Sequence, residues 1–173
     1  RMNPQDPSLP NTGLEAGKED APESWTPYGA ANCTWDHTQA YSGKSSVRVA
    51  DAPEGKFSGW STIVPVRLDR KYTFGGMAKG GDLNPNGFIG GGAMCVEFLD
   101  GLGQPVSEPI ISNALGANED WTRIATRPAT PPSGAVFARL TAGLTYCRGN
   151  VWFDDLFLDI EQTQMKDAVY LLR

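Results

Sequence analysis

The strongest constraint on this chain is the two-residue alternation of its apolar positions, in short runs closed by glycine and proline. Val136, Ala138, Leu140 and Ala142 alternate with Phe137, Arg139 and Thr141. Met94, Val96 and Phe98 alternate with Cys95, Glu97 and Leu99, and that run stops at Asp100-Gly101. Successive side chains of a strand point to opposite faces, so each run reads as a strand with its first-named set turned to a core. Tyr72, Phe74, Gly76 and Ala78 face inward on the same reasoning, leaving Met77 and Lys79 outside. Helical spacing is scarce, and 20 glycines and 13 prolines punctuate the 173 residues throughout. This pattern predicts an all-β sandwich in one domain, long enough to bury a substantial core.

Further strands are expected at 34–37, 46–49, 61–68, 105–111 and 121–125, with strand 72–79 ended by Gly80-Gly81. Residues 1–10 carry three prolines and read as a tail or linker. The domain spans 11–160, and 161–173 is a second tail or linker. Beginning at Arg1, the chain reads as an excised piece of a longer protein, from which an export signal could have been removed.

Charge narrows the function. The net charge is −5 and no basic block is present, which argues against a nucleic-acid partner. Strongly anionic polysaccharides are disfavoured for the same reason, unless a local basic patch overrides the global charge. No apolar run reaches a membrane-spanning length. Cys33, Cys95 and Cys147 lack metal-ligand spacing, and an odd count leaves at least one thiol unpaired; which of them pair is open. His37, the single histidine, reads as a surface residue. No nucleophile elbow, phosphate loop or zinc motif is present.

Near the end, Trp152-Phe153-Asp154-Asp155 reads as a strand with Trp152, Leu156 and Leu158 on one face and Asp154 among them. A carboxylate facing a core needs a partner, and a hard cation is one candidate. The alternative is that Asp154 and Glu15 hydrogen-bond only to backbone.

The order of motifs resembles a family. Asn11-x-x-Leu14-Glu15-x-Gly17, Trp25, Ser42-Gly43-Lys44-x-Ser46, Gly59-Trp60, the Tyr72 strand, Phe98-x-Asp100-x-x-Gly103, Trp121 and the closing Trp152-Phe153-Asp154-Asp155 resemble carbohydrate-binding modules. The similarity is to families 4, 9, 16 and 22, the galactose-binding-like jelly rolls, over residues 11–160. The resemblance implies a β-sandwich jelly roll of two antiparallel sheets. It also implies a structural calcium held by the carboxylates of Glu15 and Asp154, the Gly13 carbonyl and a carbonyl near Lys44. Trp25, Trp121 and Trp152 occupy its structural positions and are expected in the core.

The job implied is noncatalytic: to bind a neutral β-linked plant or algal polysaccharide and target an attached polysaccharide-degrading enzyme to it. Such a module would be bacterial, secreted or cell-surface, and monomeric. Trp35, Trp60 and Tyr146 are the candidate stacking residues. Trp60 could stack a sugar or pack inside. Glu97 and Arg139, with Lys79 nearby on one solvent-facing sheet, are the candidate hydroxyl partners. No dense row of exposed aromatics is visible. Two other readings compete: a structural or interaction jelly roll that packs on a neighbouring catalytic domain, and a small hydrolase with acids on its sheet face.

Overall fold

The structure is a computed structural model, and it describes residues 5–87 and 90–163. Its strands are β1 (Gly17–Lys18), β2 (Ala21–Pro22), β3 (Thr26–Tyr28), β4 (Asn32–Asp36), β5 (Ser46–Ala52) and β6 (Ser58–Pro65). They continue as β7 (Arg70–Pro85), β8 (Gly91–Leu99), β9 (Ile110–Ile111), β10 (Thr122–Ala125), β11 (Phe137–Thr145) and β12 (Cys147–Gln162). No helix occurs among the described residues. Apart from the β1-β2 ribbon, the strands form two antiparallel five-stranded sheets, ordered β10-β7-β12-β5-β4 and β3-β6-β11-β8-β9. The expected jelly roll is the fold.

Alternation positions the core as expected. Tyr72, Phe74 and Ala78 of the first sheet face Met94, Val96, Phe98, Ala138, Leu140 and Ala142 of the second, all essentially inaccessible. Val136 departs from its expected inward place: it precedes β11 and is 44% exposed.

Strand β7 runs straight through Gly80-Gly81, where an end was expected. These glycines clear space rather than turn the chain. A Cβ on Gly80 would lie 2.6 Å from the Gly116 carbonyl oxygen, and one on Gly81 would lie 2.7 Å from the Trp152 indole. Residues 5–10 also differ from a loose tail. Asp6 pairs with the buried Arg70 guanidinium at 3.2 Å, and the Pro10 carbonyl accepts the Trp25 indole N–H at 3.1 Å. A buried guanidinium needs a carboxylate, and the segment before position 11 supplies it. Residues 164–173, the greater part of the expected C-terminal tail, lie outside the described residues.

Candidate functional site: a charged cleft on the second sheet

Strands β11 and β8 pair with Arg139 directly opposite Glu97. Both side chains point away from the core, as the alternation predicts. Nη1 of Arg139 lies 3.7 Å from Oε1 of Glu97, an ion pair too long for a hydrogen bond. The guanidinium carbon sits 4.2 Å from the centre of the Tyr28 ring on β3, a cation–π contact that fixes its plane. Tyr28 and Glu97, the two groups that Arg139 touches, line a cavity of about 340 Å³ together with Lys56, Phe57, Cys95, Pro105 and Pro109.

The segment after β8 returns along its edge, where Ile110 and Ile111 of β9 pair with Val96 and Cys95. The Val106 N–H donates to the Phe98 carbonyl at 3.0 Å. Cys95 and Leu99 are buried although they stand on the outward face. Burial, with the neighbouring Glu97 carboxylate adding, pushes the Cys95 thiol up to about 12, so it stays protonated and unreactive. All three cysteines are free thiols. Thr141 lies between Cys95 and Ser61 in register, and its buried hydroxyl has no partner among the described residues.

Four of the six expected sugar contacts are elsewhere. Trp60 is in the core, 1% exposed, with its indole N–H on the Arg48 carbonyl at 3.2 Å. It pairs with Ala142, an inward position, so it cannot stack on a glycan. Lys79 belongs to β7 in the other sheet, where its ammonium donates to Gln39 Oε1 at 3.3 Å. Trp35, on β4, packs against the core edge with its indole N–H on the Leu14 carbonyl at 2.8 Å and its ring against His37. Tyr146 is exposed at the turn between β11 and β12, at one end of the sandwich. Only Glu97 and Arg139 come together. Tyr28 was missed; its signal is an aromatic flanked by Pro27 and Gly29 in a short edge strand.

The acids at the two chain ends converge on one loop. Glu15 Oε1 accepts the N–H groups of Lys44 and Ser45 at 2.9 and 3.0 Å. The backbone of Gly43 passes so close that a Cβ there would lie 2.3 Å from this oxygen, and its φ of +64° suits glycine. Asp154 Oδ2 accepts from the N–H groups of Tyr41 and Ser42 at 2.9 and 3.1 Å, and Oδ1 from Asp155 N–H at 2.7 Å. Burial nevertheless raises the Asp154 carboxyl to about 6, outweighing these three donors.

Asp154 lies on the face opposite Leu156, contrary to the expected alternation. It shares an outward face with Trp152, while Val151, Phe153 and Leu156 point inward. A bulge between Asp154 and Phe157, with Asp155 at φ +44°, returns Leu156 to the core. Asp154 is buried because the loop carrying Tyr41 and Ser42 covers it. Trp121 and Trp152 are likewise half-buried on outward positions, and Trp25 alone of the expected three is in the core.

No cluster of three or more His, Cys, Asp or Glu suited to a metal occurs among the described residues. A cation here would depend on two carboxylates and backbone carbonyls. Three of the four carboxylate oxygens already accept backbone N–H groups, and Glu15 Oε2 alone accepts no hydrogen bond among the described residues.

No protein-family model and no curated protein matches the chain. Solved structures match its fold. The xylan-binding CBM22-1 domain of Paenibacillus barcinonensis Xyn10C is 20% identical with a TM-score of 0.61, over 84% of this chain and 91% of that one. The Stig cyclase Fisc from Fischerella sp. TAU, solved with an indole-containing ligand, is 17% identical with a TM-score of 0.64, over 92% of this chain and 98% of that one. The enzymatically active domain of tailspike protein 4 from bacteriophage CBA120 is 15% identical with a TM-score of 0.64, over 89% of this chain; the chain spans only 21% of that one. The chain therefore shares its fold with family 22 carbohydrate-binding modules, one of the four families that the motif order resembles. The same scaffold also serves a cyclase and a phage tailspike.

Proposed function

We propose that the chain is a noncatalytic carbohydrate-binding module that targets an attached polysaccharide-degrading enzyme to its glycan, with the glycan held in the cleft of the second sheet. The observation that carries this reading is the arrangement of Arg139, Glu97 and Tyr28. The guanidinium is oriented by the Tyr28 ring yet not hydrogen-bonded to Glu97, so both charged groups retain capacity for sugar hydroxyls. Phe57, Pro105 and Pro109 supply apolar contact beside them. Among the described residues Glu97 is the one carboxylate lining the cleft, whereas glycoside hydrolysis ordinarily uses two. Together with the inert Cys95 thiol, this supports binding over catalysis.

The substrate class we assign is a neutral β-linked plant or algal polysaccharide, since a chain of net charge −5 repels polyanions at long range. Binding there raises the local concentration of the attached enzyme on its polymer. The module is assigned to a secreted or cell-surface protein and acts as a monomer. Calcium is part of the proposal: bound by Glu15 and Asp154 with the carbonyls of Gly13 and Lys44, it would tie the first turn, the 41–45 loop and β12 together. Its contribution would be to stability, not to sugar contact.

Affinity electrophoresis through gels of neutral β-linked polysaccharides tests the reading. Wild-type protein should be retarded by at least one, and Tyr28→Ala and Arg139→Ala should migrate freely while melting near the wild-type temperature. No retardation on any gel would favour the alternative, a jelly-roll domain that packs on its catalytic neighbour and binds no sugar.

A further inference from the structure

The outward face of the first sheet carries aromatic side chains that the cleft does not use. We propose that this face, centred on Trp152, is a second glycan-binding surface for a neutral, extended β-linked chain. It lies on the opposite side of the sandwich from the cleft and stands on separate residues.

The indole of Trp152 is laid flat by a missing side chain. Gly81 occupies an outward position on β7, and a Cβ there would come within 2.7 Å of Cζ3 and 3.0 Å of Cη2 of Trp152. One indole face therefore rests on the strand backbone at Gly81, and the side chain as a whole is half-buried. Asp36 Oδ2 accepts the indole N–H at 2.8 Å and pins the ring edge. The device is repeated along β7: a Cβ on Gly75 would lie 2.5 Å from the Phe157 ring, over which the Arg123 guanidinium sits at 4.4 Å.

Hydrogen-bonding groups flank the platform. Lys79 stands opposite Trp152 on one neighbouring strand and Arg48 on the other. Lys79 is held by the Gln39 amide at 3.3 Å and Arg48 by the Asn150 amide at 2.9 Å. Neither cation has a carboxylate within ion-pair distance among the described residues. Their remaining N–H groups are donors available to hydroxyls.

The order of side chains favours a sugar over a protein partner. Trp121 precedes Thr122, which pairs with Ala78, and its ring contacts Tyr41 at 6.0 Å on this same face. Across the sheet, aromatic and cationic residues then alternate: Trp121, Lys79, Trp152, Arg48. A docked protein face would present contiguous apolar surface, which this order interrupts. Sugar rings need the reverse, flat apolar patches with polar groups at their edges. Trp121 and Trp152 stand two strand spacings apart, about 10 Å, roughly the length of one disaccharide in an extended chain. Asp36 beside the two cations gives the face both signs, which suits a neutral polyol.

The test is a titration of the isotope-labelled chain with xylohexaose and with cellohexaose, followed by nuclear magnetic resonance. The Trp152 and Trp121 indole N–H resonances and the Lys79 amide should shift with saturation. The Tyr28 and Glu97 amides report the cleft separately, so failure of either reading is distinguishable from failure of the other. Lys79→Ala should weaken the outer-face titration roughly fivefold, the worth of one net hydrogen bond, without altering the cleft titration. Outer-face resonances that stay fixed with both hexasaccharides overturn the proposal, as does a Lys79→Ala titration identical to wild type. If those resonances instead move only when an attached catalytic domain is added, the face is a protein dock and the proposal fails.

Discussion

Arg70 and Arg139 are both paired with acids, and the contrast between them separates holding the fold together from presenting a surface. Arg70 is 1% exposed; Asp6 and Asp69 approach its guanidinium at 3.2 and 3.1 Å. Its Nε donates to the Asp6 carboxylate and its Nη1 to the Asp69 carbonyl at 3.3 Å. Arg139 has one acid at 3.7 Å and leans on Tyr28, and its side chain keeps some access to solvent. A closed ion network compensates desolvation it has itself incurred. An open one leaves donors and acceptors for a ligand.

The largest effect expected from breaking this contrast is at the closed pair. Asp6→Ala strands the Arg70 guanidinium in the interior, with only the half-exposed Asp69 beside it. Removing one partner of a buried pair costs about 3 kcal/mol or more, and thermal unfolding measures it. Glu97→Ala, by contrast, should cost no more than about 1 kcal/mol. Equal losses at the two sites would erase the distinction. A silent Asp6→Ala would return residues 5–10 to the tail that their prolines suggested.

Asp154 provides an intermediate effect with a pH signature. Its carboxyl is raised to about 6 in the folded protein, against an ordinary 3.8. A folded state that holds a proton more tightly than the unfolded chain loses stability as pH rises between those values. Without calcium, the melting temperature should therefore fall from about pH 4 to about pH 6 through this residue. A cation requires the ionised carboxylate, so stabilisation by excess calcium over chelator should be small at pH 5 and larger at pH 7. Identical melting curves with calcium and with chelator at pH 7 would remove the metal and leave the 41–45 loop to hydrogen bonds alone.

The legibility of these sites in the sequence divides along physical lines. Alternation assigns the faces of β7, β8 and β11 because side-chain direction in a strand is local. It cannot say which sheet a strand joins: Lys79 stands opposite Trp152 on β12, in the other sheet from Glu97. Nor does it show which outward positions are covered: Leu99 and Cys95 are fully buried, whereas Glu97 and Arg139 on the same face keep some access to solvent. Gly80-Gly81 carries a turn signal, but those glycines serve the indole of Trp152 and a neighbouring carbonyl, contacts made by residues distant in sequence. The bulge at Asp155 has no compositional mark at all. A tryptophan after a glycine suits either a surface platform or a core strand, and only the register opposite Ala142 turns Trp60 inward. Glu97 and Arg139 were legible because charged residues alternating with apolar ones in two strong strands must face outward, and tight antiparallel pairing then brought them together.

The smallest change in stability with a decisive change in binding is expected from Arg139→Lys. Lysine keeps the charge and places an ammonium near Glu97, so stability should stay within about 0.5 kcal/mol of wild type. It lacks the planar fork that Tyr28 orients, and it concentrates its donors at one flexible point. If the cleft works by presenting a fixed guanidinium to sugar hydroxyls, retention on a neutral β-linked polysaccharide gel should fall nearly as far as with Arg139→Ala. If Arg139 matters only as a positive charge, lysine should restore retention. In that case Tyr28→Phe, which preserves a ring under the cation, and Tyr28→Ala should also behave alike. A fixed-guanidinium site predicts instead that phenylalanine retains most of the binding and alanine loses it, because only alanine removes the surface that holds Arg139 in place.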